Sequence, residues 1–351
     1  MKTNYFRRVT AQTPTRFWIN NATREEADLA IAAGATGCTQ NPSYVWKMLN
    51  HPIEKEYALS LLDKAVGETE DDAEVVVRVQ RSLVEGIAAK FLPMYEASRG
   101  REGFVSIQGD PLEEDKDTMI EQARFNRKAG PNIMAKIPVT VEGIHAIRDL
   151  LAEGVPINAT EVMAVRQAMD VADTYLEVAK GNWTMPVAYY SHITGIYDEY
   201  LQKKVARENI DISPDALWQA GMTIAKKAHH MTKAICPGLG FIGGGARGLH
   251  HFTEMVGAEA VVTINWKGTA EDLENQDPPV VQRFFMATPD NVLDELVSKL
   301  KDFRRGYFLD EIEAGEYEDF GPVMLFRDSF IDAWTKAVTF VRAYRGEKIV
   351  K

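Results

Sequence analysis

The chain has 351 residues, of which 45% are hydrophobic, and its net charge at pH 7 is −11. This composition is typical of a globular protein with a large core, and the acidic balance argues against a nucleic-acid partner because no long basic stretch offsets it. Two cysteines are too few for a disulfide framework, and no apolar stretch approaches the length of a membrane span. We therefore expect a cytoplasmic protein that binds neither nucleic acid nor membrane.

The first predicted elements are two strands separated by a short helix. A strand over 15–20 precedes a helix that begins with a capping box at Thr23 and Glu26 and ends at Gly34. A second strand over 35–41 stops before a proline, which cannot donate to a strand ladder. The segment 44–100 then has a helical pattern, interrupted by one acidic stretch, that predicts two or three helices.

The rest of the chain alternates between apolar, β-leaning runs and helical sequence. Further strands are predicted over 104–108, 132–140, 155–160, 185–192, 238–245 and 260–265. Eight strands, each followed by helical sequence, predict a (β/α)₈ TIM barrel of class α/β that spans 1–351 as one domain. Within it, 44–100 is predicted to be a helical insertion, and 305–351 a C-terminal helical extension that packs on the barrel.

Lys136 is the only charged residue in the apolar run 132–140. Burial lowers the pKa of an amine, and a neutral amine is the nucleophile that attacks a carbonyl to form a Schiff base. A lysine at a strand end can instead extend its charge to solvent, so this run alone leaves both interpretations open.

Polar residues cluster where a barrel carries its active site, at the C-terminal ends of the strands. In chain order these residues are Asn20, Thr39, Asn41, Gln108, Lys136, Asn158, Thr160, Tyr189 and His192, with Gly245 and Arg247 after the seventh strand. Each has an ordinary structural explanation, such as helix capping or packing. Together, neutral hydrogen-bonding groups around one amine suit a polyhydroxylated carbonyl compound. The glycine-rich turn and Arg247 suit an anionic group such as a phosphate.

The sequence resembles the transaldolase family of class I aldolases from about Phe17 to Ile264. The resemblance is carried by TQNPS at 39–43, FVSIQGDP at 104–111, NIMAKIPVTVEG at 132–143 and INAT at 157–160. It implies a (β/α)₈ barrel whose C-terminal helix folds back over the barrel mouth, and a role in carbohydrate metabolism.

The resemblance also implies a role for each matching residue. Lys136 would form the Schiff base with a ketose donor, such as a ketose phosphate or a related anionic ketose. The dihydroxyacetone portion would be held by Thr39, Asn41 and Asn158. Thr160 would help hold the catalytic water, and Arg247 would bind the anionic end of the acceptor. No metal or organic cofactor is needed, since the iminium is itself the electron sink. The pairs His229-His230 and His250-His251 lack acidic partners at metal-ligand spacing, so we predict no metal site.

Several positions depart from the family pattern. Asn20 stands where the family carries a general-base aspartate, and Gln108 where most transaldolases carry a glutamate. Gln108 with Tyr189 resembles the fructose-6-phosphate aldolase branch, in which a glutamine and a tyrosine position water and transfer protons. His192 stands where a phosphate-binding arginine is usual, and Gly245 where a serine is common. Because an amide cannot accept a proton as a carboxylate does, Tyr189 or His192 is predicted to take that role.

Three hypotheses follow. The first is a transaldolase-type transferase or aldolase that moves or releases a dihydroxyacetone unit. The second is a barrel that binds a sugar phosphate but has lost turnover, and the third is a Schiff-base isomerase or dehydratase without carbon–carbon cleavage. The sequence does not determine the donor, the acceptor or the oligomeric state, and a homo-oligomer is compatible with it.

Overall fold

Eight parallel strands form a closed barrel in the computed structural model, which describes residues 4–349, with side chains described to residue 346. Each strand pairs with the next in sequence, and the first pairs with the last. The strands are β1 (Arg16–Asn20), β2 (Gly37–Gln40), β3 (Phe104–Gln108), β4 (Ile133–Pro138), β5 (Ile157–Val162), β6 (Ala188–His192), β7 (Gly240–Gly243) and β8 (Val261–Ile264). The predicted (β/α)₈ barrel is confirmed.

Helices surround this barrel and precede and follow it. They are α1 (Tyr5–Gln12), α2 (Arg24–Ala33), α3 (Tyr44–Asn50), α4 (Lys55–Val66), α5 (Asp72–Ala97), α6 (Lys116–Arg127), α7 (Val141–Ala152), α8 (Val165–Ala179), α9 (Thr194–Glu208), α10 (Pro214–Ile235), α11 (His250–Thr253), α12 (Glu271–Gln276), α13 (Asp290–Lys299), α14 (Lys301–Tyr307) and α15 (Gly321–Ile349). Helices α3, α4 and α5 form the connection between β2 and β3. In the described part of the chain, no helix combines the length and the apolar character that a membrane span requires.

The helix boundaries follow local sequence signals. The predicted capping box opens α2, where Thr23 accepts from the Glu26 backbone and the Glu26 side chain accepts from the Thr23 backbone. Gly34 ends that helix with a left-handed φ of 111°. Ser213 caps α10 and Pro214 occupies its first position.

One end of the barrel interior is filled by large apolar side chains. This floor lies at the N-terminal end of the strands and consists of Trp18, Phe104, Met134, Ile242 and Val261. All five are buried. Layers of this kind make a TIM barrel a packed core rather than a pore, so the polar end of the barrel is open from one side only.

Strand β5 contains an irregularity near its C-terminal end. Ala159 pairs with Tyr190 and Val162 pairs with His192, so β5 holds one more residue than β6 between these pairs. Glu161 lies in this bulge with a left-handed φ of 63°. Bulges of this kind change the direction of a side chain and are common beside active sites.

The long helix α15 covers the open end of the barrel. Phe326, Ser329 and Phe330 face the same cavity as Lys136 of β4. Further along the helix, Trp334 is fully buried. Near its end, Arg345 forms an ion pair of 3.1 Å with Asp72 at the start of α5. The C-terminal helix is therefore a roof over the barrel mouth, anchored to the connection between β2 and β3.

The predicted elements and the structure differ most clearly at two helices and at the ends of two strands. Helices α1 and α9 have no counterpart among the predicted elements. Strand β5 continues to Val162, two residues beyond the predicted end at Thr160, because a glutamate after a threonine has the appearance of a strand end. Strand β6 begins at Ala188 rather than at 185, and Pro186 in the preceding residues is a poor ladder partner.

Candidate active site

Lys136 occupies the middle of β4, where all six residues are buried. Its side chain is only 6% exposed. Burial lowers the pKa of Lys136 from 10.5 to about 8, and the negative charge of Glu161 opposes this shift. The Phe330 ring of α15 lies 5.6 Å from Nζ and helps to exclude water. A substantial fraction of this amine is therefore neutral near physiological pH.

A polar cavity of about 180 Å³ opens in front of this amine. The sequence-predicted residues that line it are Asn20, Thr39, Asn41, Lys136, Thr160, Gly245 and Arg247. Sequence reasoning missed further polar lining residues, namely Ser43, Ser191, Thr263, Asn265 and Ser329. Within the described residues no carboxylate lines this cavity, so its wall offers neutral hydrogen-bonding groups and two cations.

Along the side of the cavity formed by β1, β2 and β8, polar side chains are connected by a chain of hydrogen bonds. The Thr39 hydroxyl lies 2.9 Å from Asn20 Oδ1 and 2.7 Å from the Thr263 hydroxyl. Asn20 Nδ2 donates to Asn265 Oδ1 at 2.9 Å. The Asn20 amide is thus held at both its oxygen and its nitrogen, and it has no group that can take up a proton at neutral pH.

Asn41 is held through its oxygen alone. Its Oδ1 accepts from Asn21 Nδ2 at 2.9 Å and from the hydroxyl and backbone nitrogen of Ser43 at 2.6 and 3.1 Å. These bonds fix the orientation of the amide and leave its Nδ2 group as the donor for a ligand in the cavity. A rigid donor of this kind suits a substrate hydroxyl or carbonyl oxygen.

Asn158 is the register partner of Lys136 on β5 and is completely buried. Its Nδ2 donates to Ser106 Oγ at 3.2 Å, and its Oδ1 accepts from Ser191 Oγ at 2.7 Å. Ser191 itself lines the cavity. The structure therefore places Asn158 beside the lysine but behind the cavity wall, where it fixes Ser191.

On the other side of Lys136, Gln108 of β3 is its register partner. Gln108 Nε2 donates to Glu161 Oε1 at 2.8 Å. This bond crosses β4, because the bulge in β5 turns Glu161 toward the barrel interior. In the described residues, Gln108 Oε1, Glu161 Oε2 and Thr160 Oγ1 are buried and have no hydrogen-bond partner.

A second carboxyl, Glu114, follows β3 and is also buried. Arg327 of α15 contacts it at 3.1 Å, although the angle is not that of a hydrogen bond. Burial and the neighbouring Glu161 carboxyl raise the pKa of Glu114 to about 9, and Arg327 opposes this shift. Sequence reasoning missed both glutamates; a charged residue inside an otherwise apolar run, as at 157–165, was the available signal for Glu161.

Tyr189 is not among the described residues that line the polar cavity, and its predicted catalytic role stays a prediction. Its ring packs on Trp18 of the floor with centroids 5.6 Å apart, and it borders a cavity at the N-terminal end of the barrel together with Arg16 and Glu259. Burial raises the pKa of Tyr189 to about 12. Ser191, two residues further along β6, takes the inward position at the level of the lysine.

His192 is also not among the described residues that line the polar cavity, and its predicted role in substrate binding stays a prediction. It is fully buried, and its Nδ1 lies 3.0 Å from the Thr194 hydroxyl. Burial lowers the pKa of His192 to about 3, so the ring is neutral and cannot attract an anion. Side chains alternate between the two faces of a strand, and Ser191 occupies the inward face.

Arg247 stands at the rim of the cavity, with its side chain about half exposed. Its Nε forms an ion pair of 2.6 Å with Glu199 of α9. Its backbone N–H donates to His251 Nδ1 at 3.2 Å, and His251 Nε2 lies 2.9 Å from Asp198. A buried aspartate–histidine pair thus holds the loop that carries Arg247 and Gly245.

This pair also corrects the expectation that His250 and His251 lack an acidic partner, since α9 brings Asp198 to them. Their ligand atoms all lie within 4.8 Å of one another, so the three residues could hold a metal ion. However, both ring nitrogens of His251 are already hydrogen-bonded, to the Arg247 backbone and to Asp198. The contacts in the structure therefore describe a positioning network.

Comparison with known proteins gives one consistent result. A family model described as "Transaldolase/Fructose-6-phosphate aldolase" matches residues 17–304. A "Transaldolase" from Saccharopolyspora erythraea is 35% identical over 177 residues, which cover 47% of this chain and 47% of that protein. "Transaldolase 1" from Streptomyces avermitilis is 32% identical over 173 residues, covering 45% of this chain and 44% of that protein.

A longer match is with a "Transaldolase" from Trichodesmium erythraeum, which is 27% identical over 253 residues. It covers 62% of this chain and 63% of that protein. The chain thus spans between about half and two thirds of the length of these relatives.

Proposed function

The chain belongs to the transaldolase/fructose-6-phosphate aldolase family, and on that premise we propose that it is a transaldolase-type enzyme that joins Lys136 to a ketose as a Schiff base. The observation that carries this proposal is a buried amine with a lowered pKa that faces a polar cavity of neutral hydrogen-bonding groups. A cavity of about 180 Å³ suits a small sugar. The two buried cysteines are free, in keeping with the expected cytoplasmic location.

The proposed reaction begins when the neutral Lys136 amine attacks the ketone of the donor. The resulting carbinolamine loses water and becomes an iminium ion. Removal of a proton from the hydroxyl on the fourth carbon of the sugar then breaks the bond between the third and fourth carbons. The bonding electrons move into the iminium, an aldehyde leaves, and a dihydroxyacetone unit stays on the lysine as an enamine. Addition to a second aldehyde completes a transfer, whereas protonation and hydrolysis release dihydroxyacetone.

The donor would be held by the neutral groups around the amine. Asn41 offers its Nδ2 group, while Thr39 and Ser191 offer hydroxyls that are already oriented by hydrogen bonds. Amides and alcohols of this kind match sugar hydroxyls without introducing a charge. Asn158 would act from behind the wall by fixing Ser191, and Thr160 would bond a water or hydroxyl beside the amine.

The anionic end of a ketose phosphate or related ketose would lie at Arg247. This residue and Lys136 are the two cations that line the described cavity, and they lie at its rim and its base respectively. Glu199 now neutralises Arg247 at 2.6 Å, so the anion has to compete with a carboxylate. A substrate whose anionic group forms bidentate hydrogen bonds with the guanidinium would compete best.

Reductive trapping tests the proposal. Incubation with fructose 6-phosphate or dihydroxyacetone plus borohydride is expected to add the reduced ketose to Lys136, as located by peptide mass spectrometry. Lys136→Met should abolish the adduct. Lys227→Met is the matched control, because burial also lowers the pKa of Lys227 but this lysine packs on Tyr307, away from the cavity. A panel of ketoses that leaves no adduct on Lys136 would contradict the proposal.

One observation favours a second candidate, a Schiff-base isomerase or dehydratase. Asn20 is held by Thr39 and Asn265, and no carboxylate lines the described cavity to take a proton from the hydroxyl on the fourth carbon. Product analysis by NMR separates the candidates. Carbon–carbon cleavage yields an aldehyde or a transferred sugar, whereas isomerisation or dehydration keeps the carbon chain intact.

A further inference from the structure

The bulge in β5 brings one carboxyl close to Lys136, and its backbone conformation is unusual. Glu161 has a left-handed φ of 63°. For a residue with a side chain this conformation is unfavourable, and it persists only where surrounding contacts enforce it. Without the extra residue, strand alternation would turn the side chain after Thr160 away from the interior. The bulge therefore places a glutamate where a regular strand would not.

Gln108 holds the carboxyl in this position. Its Nε2 donates to Glu161 Oε1 at 2.8 Å, and Gln80 donates to the Gln108 backbone carbonyl at 3.0 Å. Gln108 is the register partner of Lys136, so the glutamine, the lysine and the carboxyl belong to one cluster. Glu161 is close enough to the lysine for its charge to affect the pKa of that amine.

Three polar atoms in this cluster have no partner among the described residues. They are Glu161 Oε2, Gln108 Oε1 and Thr160 Oγ1, and all three are buried. Buried polar atoms in folded proteins almost always have a hydrogen-bond partner. Thr160 lines the cavity in front of the amine, which joins this cluster to the substrate site. A hydroxyl or a water beside Lys136 would supply the missing partner.

We propose that Glu161 is the acid–base group that forms and hydrolyses the Schiff base on Lys136, with Gln108 positioning its carboxyl and Thr160 holding the hydroxyl that leaves. The inference rests on the proposed function, because it assigns a residue to the first and last steps of that reaction. It assigns the acid–base carboxylate to β5, in a cluster that includes neither Asn20 nor Tyr189.

The step balances as follows. Lys136 adds to the ketone, and its proton moves to the oxygen, which gives a neutral carbinolamine. The Glu161 carboxylic acid donates a proton to the carbinolamine hydroxyl, the carbon–oxygen bond breaks, and its electron pair leaves with water. The nitrogen lone pair forms the iminium bond, and Glu161 is left as a carboxylate. In hydrolysis the carboxylate takes a proton from the attacking water, which reverses each change.

The surroundings of Glu161 support this role. Burial raises the pKa of Glu161, whereas the bond from Gln108 and the charges of Lys136 and Arg327 oppose the rise. Glu318 adds to the rise, and Glu114 is the second carboxyl of the cluster. A raised pKa favours the protonated form of this carboxyl, which is the form that can donate a proton.

Exchange of the ketone oxygen with water tests the inference, because each cycle of Schiff-base formation and hydrolysis replaces that oxygen. Wild-type enzyme is incubated with the ketose that forms the trapped adduct, in water enriched in the heavy oxygen isotope. Exchange of the ketone oxygen is followed by mass spectrometry. Glu161→Gln is expected to slow exchange about 100-fold, the usual minimum for losing a general acid–base group. In the wild type the exchange rate should fall at high pH because the Glu161 acid ionises, and this fall should be absent in Glu161→Gln.

Two further variants keep the test decisive. Glu54→Gln removes another buried carboxyl, one paired with Arg24 outside the cavity, and is expected to exchange at the wild-type rate. Gln108→Met keeps the Glu161 carboxyl but removes its donor, and about a tenfold loss is expected for one hydrogen bond to a charged group. Thermal unfolding of each variant confirms that it is folded.

The inference would be overturned if Glu161→Gln and Gln108→Met both fold and exchange oxygen at the wild-type rate. If only one of them folds, exchange at the wild-type rate in that variant has the same consequence. The proposed Schiff base on Lys136 would remain in either case. Absence of both trapping and exchange in the wild type would instead contradict the proposed function.

Discussion

The two ends of the barrel interior differ sharply although the same strands build both. On β1, β3, β4, β7 and β8 the floor residues are Trp18, Phe104, Met134, Ile242 and Val261. Two residues further along the same strands stand Asn20, Ser106, Lys136, Gly244 and Thr263. Because side chains alternate between faces, a step of two residues stays inside the barrel and changes only the level.

This difference teaches how one amine can be both buried and reactive. The floor excludes water from below, and Phe330 excludes it from above. Neutral amides and hydroxyls line the cavity at the level of Lys136 and provide hydrogen bonds, while the charge of Glu161 opposes the effect of burial on the amine only in part. Floor and roof together thus lower the pKa of the lysine, whereas the neutral polar groups at its level determine what the lysine can bind.

The largest effect is expected when Lys136, at the polar end of the barrel interior, is replaced. Lys136→Met should abolish trapping and turnover while stabilising the folded protein by about 1–3 kcal/mol at pH 7, given the shift from 10.5 to about 8. Because the folded-state pKa is depressed, the destabilisation by the lysine is complete below pH 8 and disappears as pH rises toward 10.5. Denaturant unfolding across this range should therefore show the two proteins converging at high pH, and a variant less stable than wild type at pH 7 would contradict the argument.

Removing the floor tests the other end. Trp18→Ala deletes a buried side chain that also donates to Thr36 at 3.1 Å, and a loss of about 3–5 kcal/mol in unfolding free energy is expected. The exposed Trp183→Ala should leave stability unchanged. If Trp18→Ala is as stable as the control, the floor does not have the packing role described.

Truncating Phe330 in the roof should shift the pH profile of adduct formation rather than abolish the reaction. In the wild type, adduct formation is expected to rise about tenfold per pH unit below pH 8 and to level off above it, because only the neutral amine reacts. Phe330→Ala admits water, so the pKa of Lys136 should rise by about one unit and trapping at pH 7 should slow several-fold. Phe340→Ala on the same helix packs against Trp46 and serves as control. An unchanged profile in Phe330→Ala would show that burial by the roof does not tune the amine.

The smallest effect is expected at Tyr189. Its ring packs on Trp18 of the floor and it does not line the polar cavity, so Tyr189→Phe should change the trapping rate less than about twofold. Steady-state turnover by the same variant gives a second measurement. A loss of 100-fold or more would return Tyr189 to the catalytic role that the sequence resemblance implies.

The sequence predicted the barrel and its lysine because both depend on local patterns. Strand 104–108 and the capping box of α2 are each encoded in a short segment, and Lys136 is the one charge in its strand. Asn20, Thr39, Asn41 and Thr160 followed from the rule that strand ends form the active face.

What sequence missed depends on register and on long-range contacts. Tyr189 and His192 are an odd number of residues apart, so a regular strand cannot direct both inward, and this much was available from the sequence. Glu161 is different, since only the bulge in β5 turns it inward and only Gln108, more than fifty positions away, reveals its partner. Asp198 reaches His251 from α9 in the same non-local way.

The anchoring of the roof has a consequence for how the protein responds to its medium. Arg345 ties the end of α15 to Asp72 and to the Thr69 carbonyl, both in the long connection that precedes β3. The long connection between β2 and β3 therefore holds in place the helix that keeps the barrel mouth dry. Arg342 forms a more exposed ion pair with the same Asp72. Concentrated salt weakens exposed charge pairs, so ionic strength should loosen this attachment and affect the lysine indirectly, through hydration.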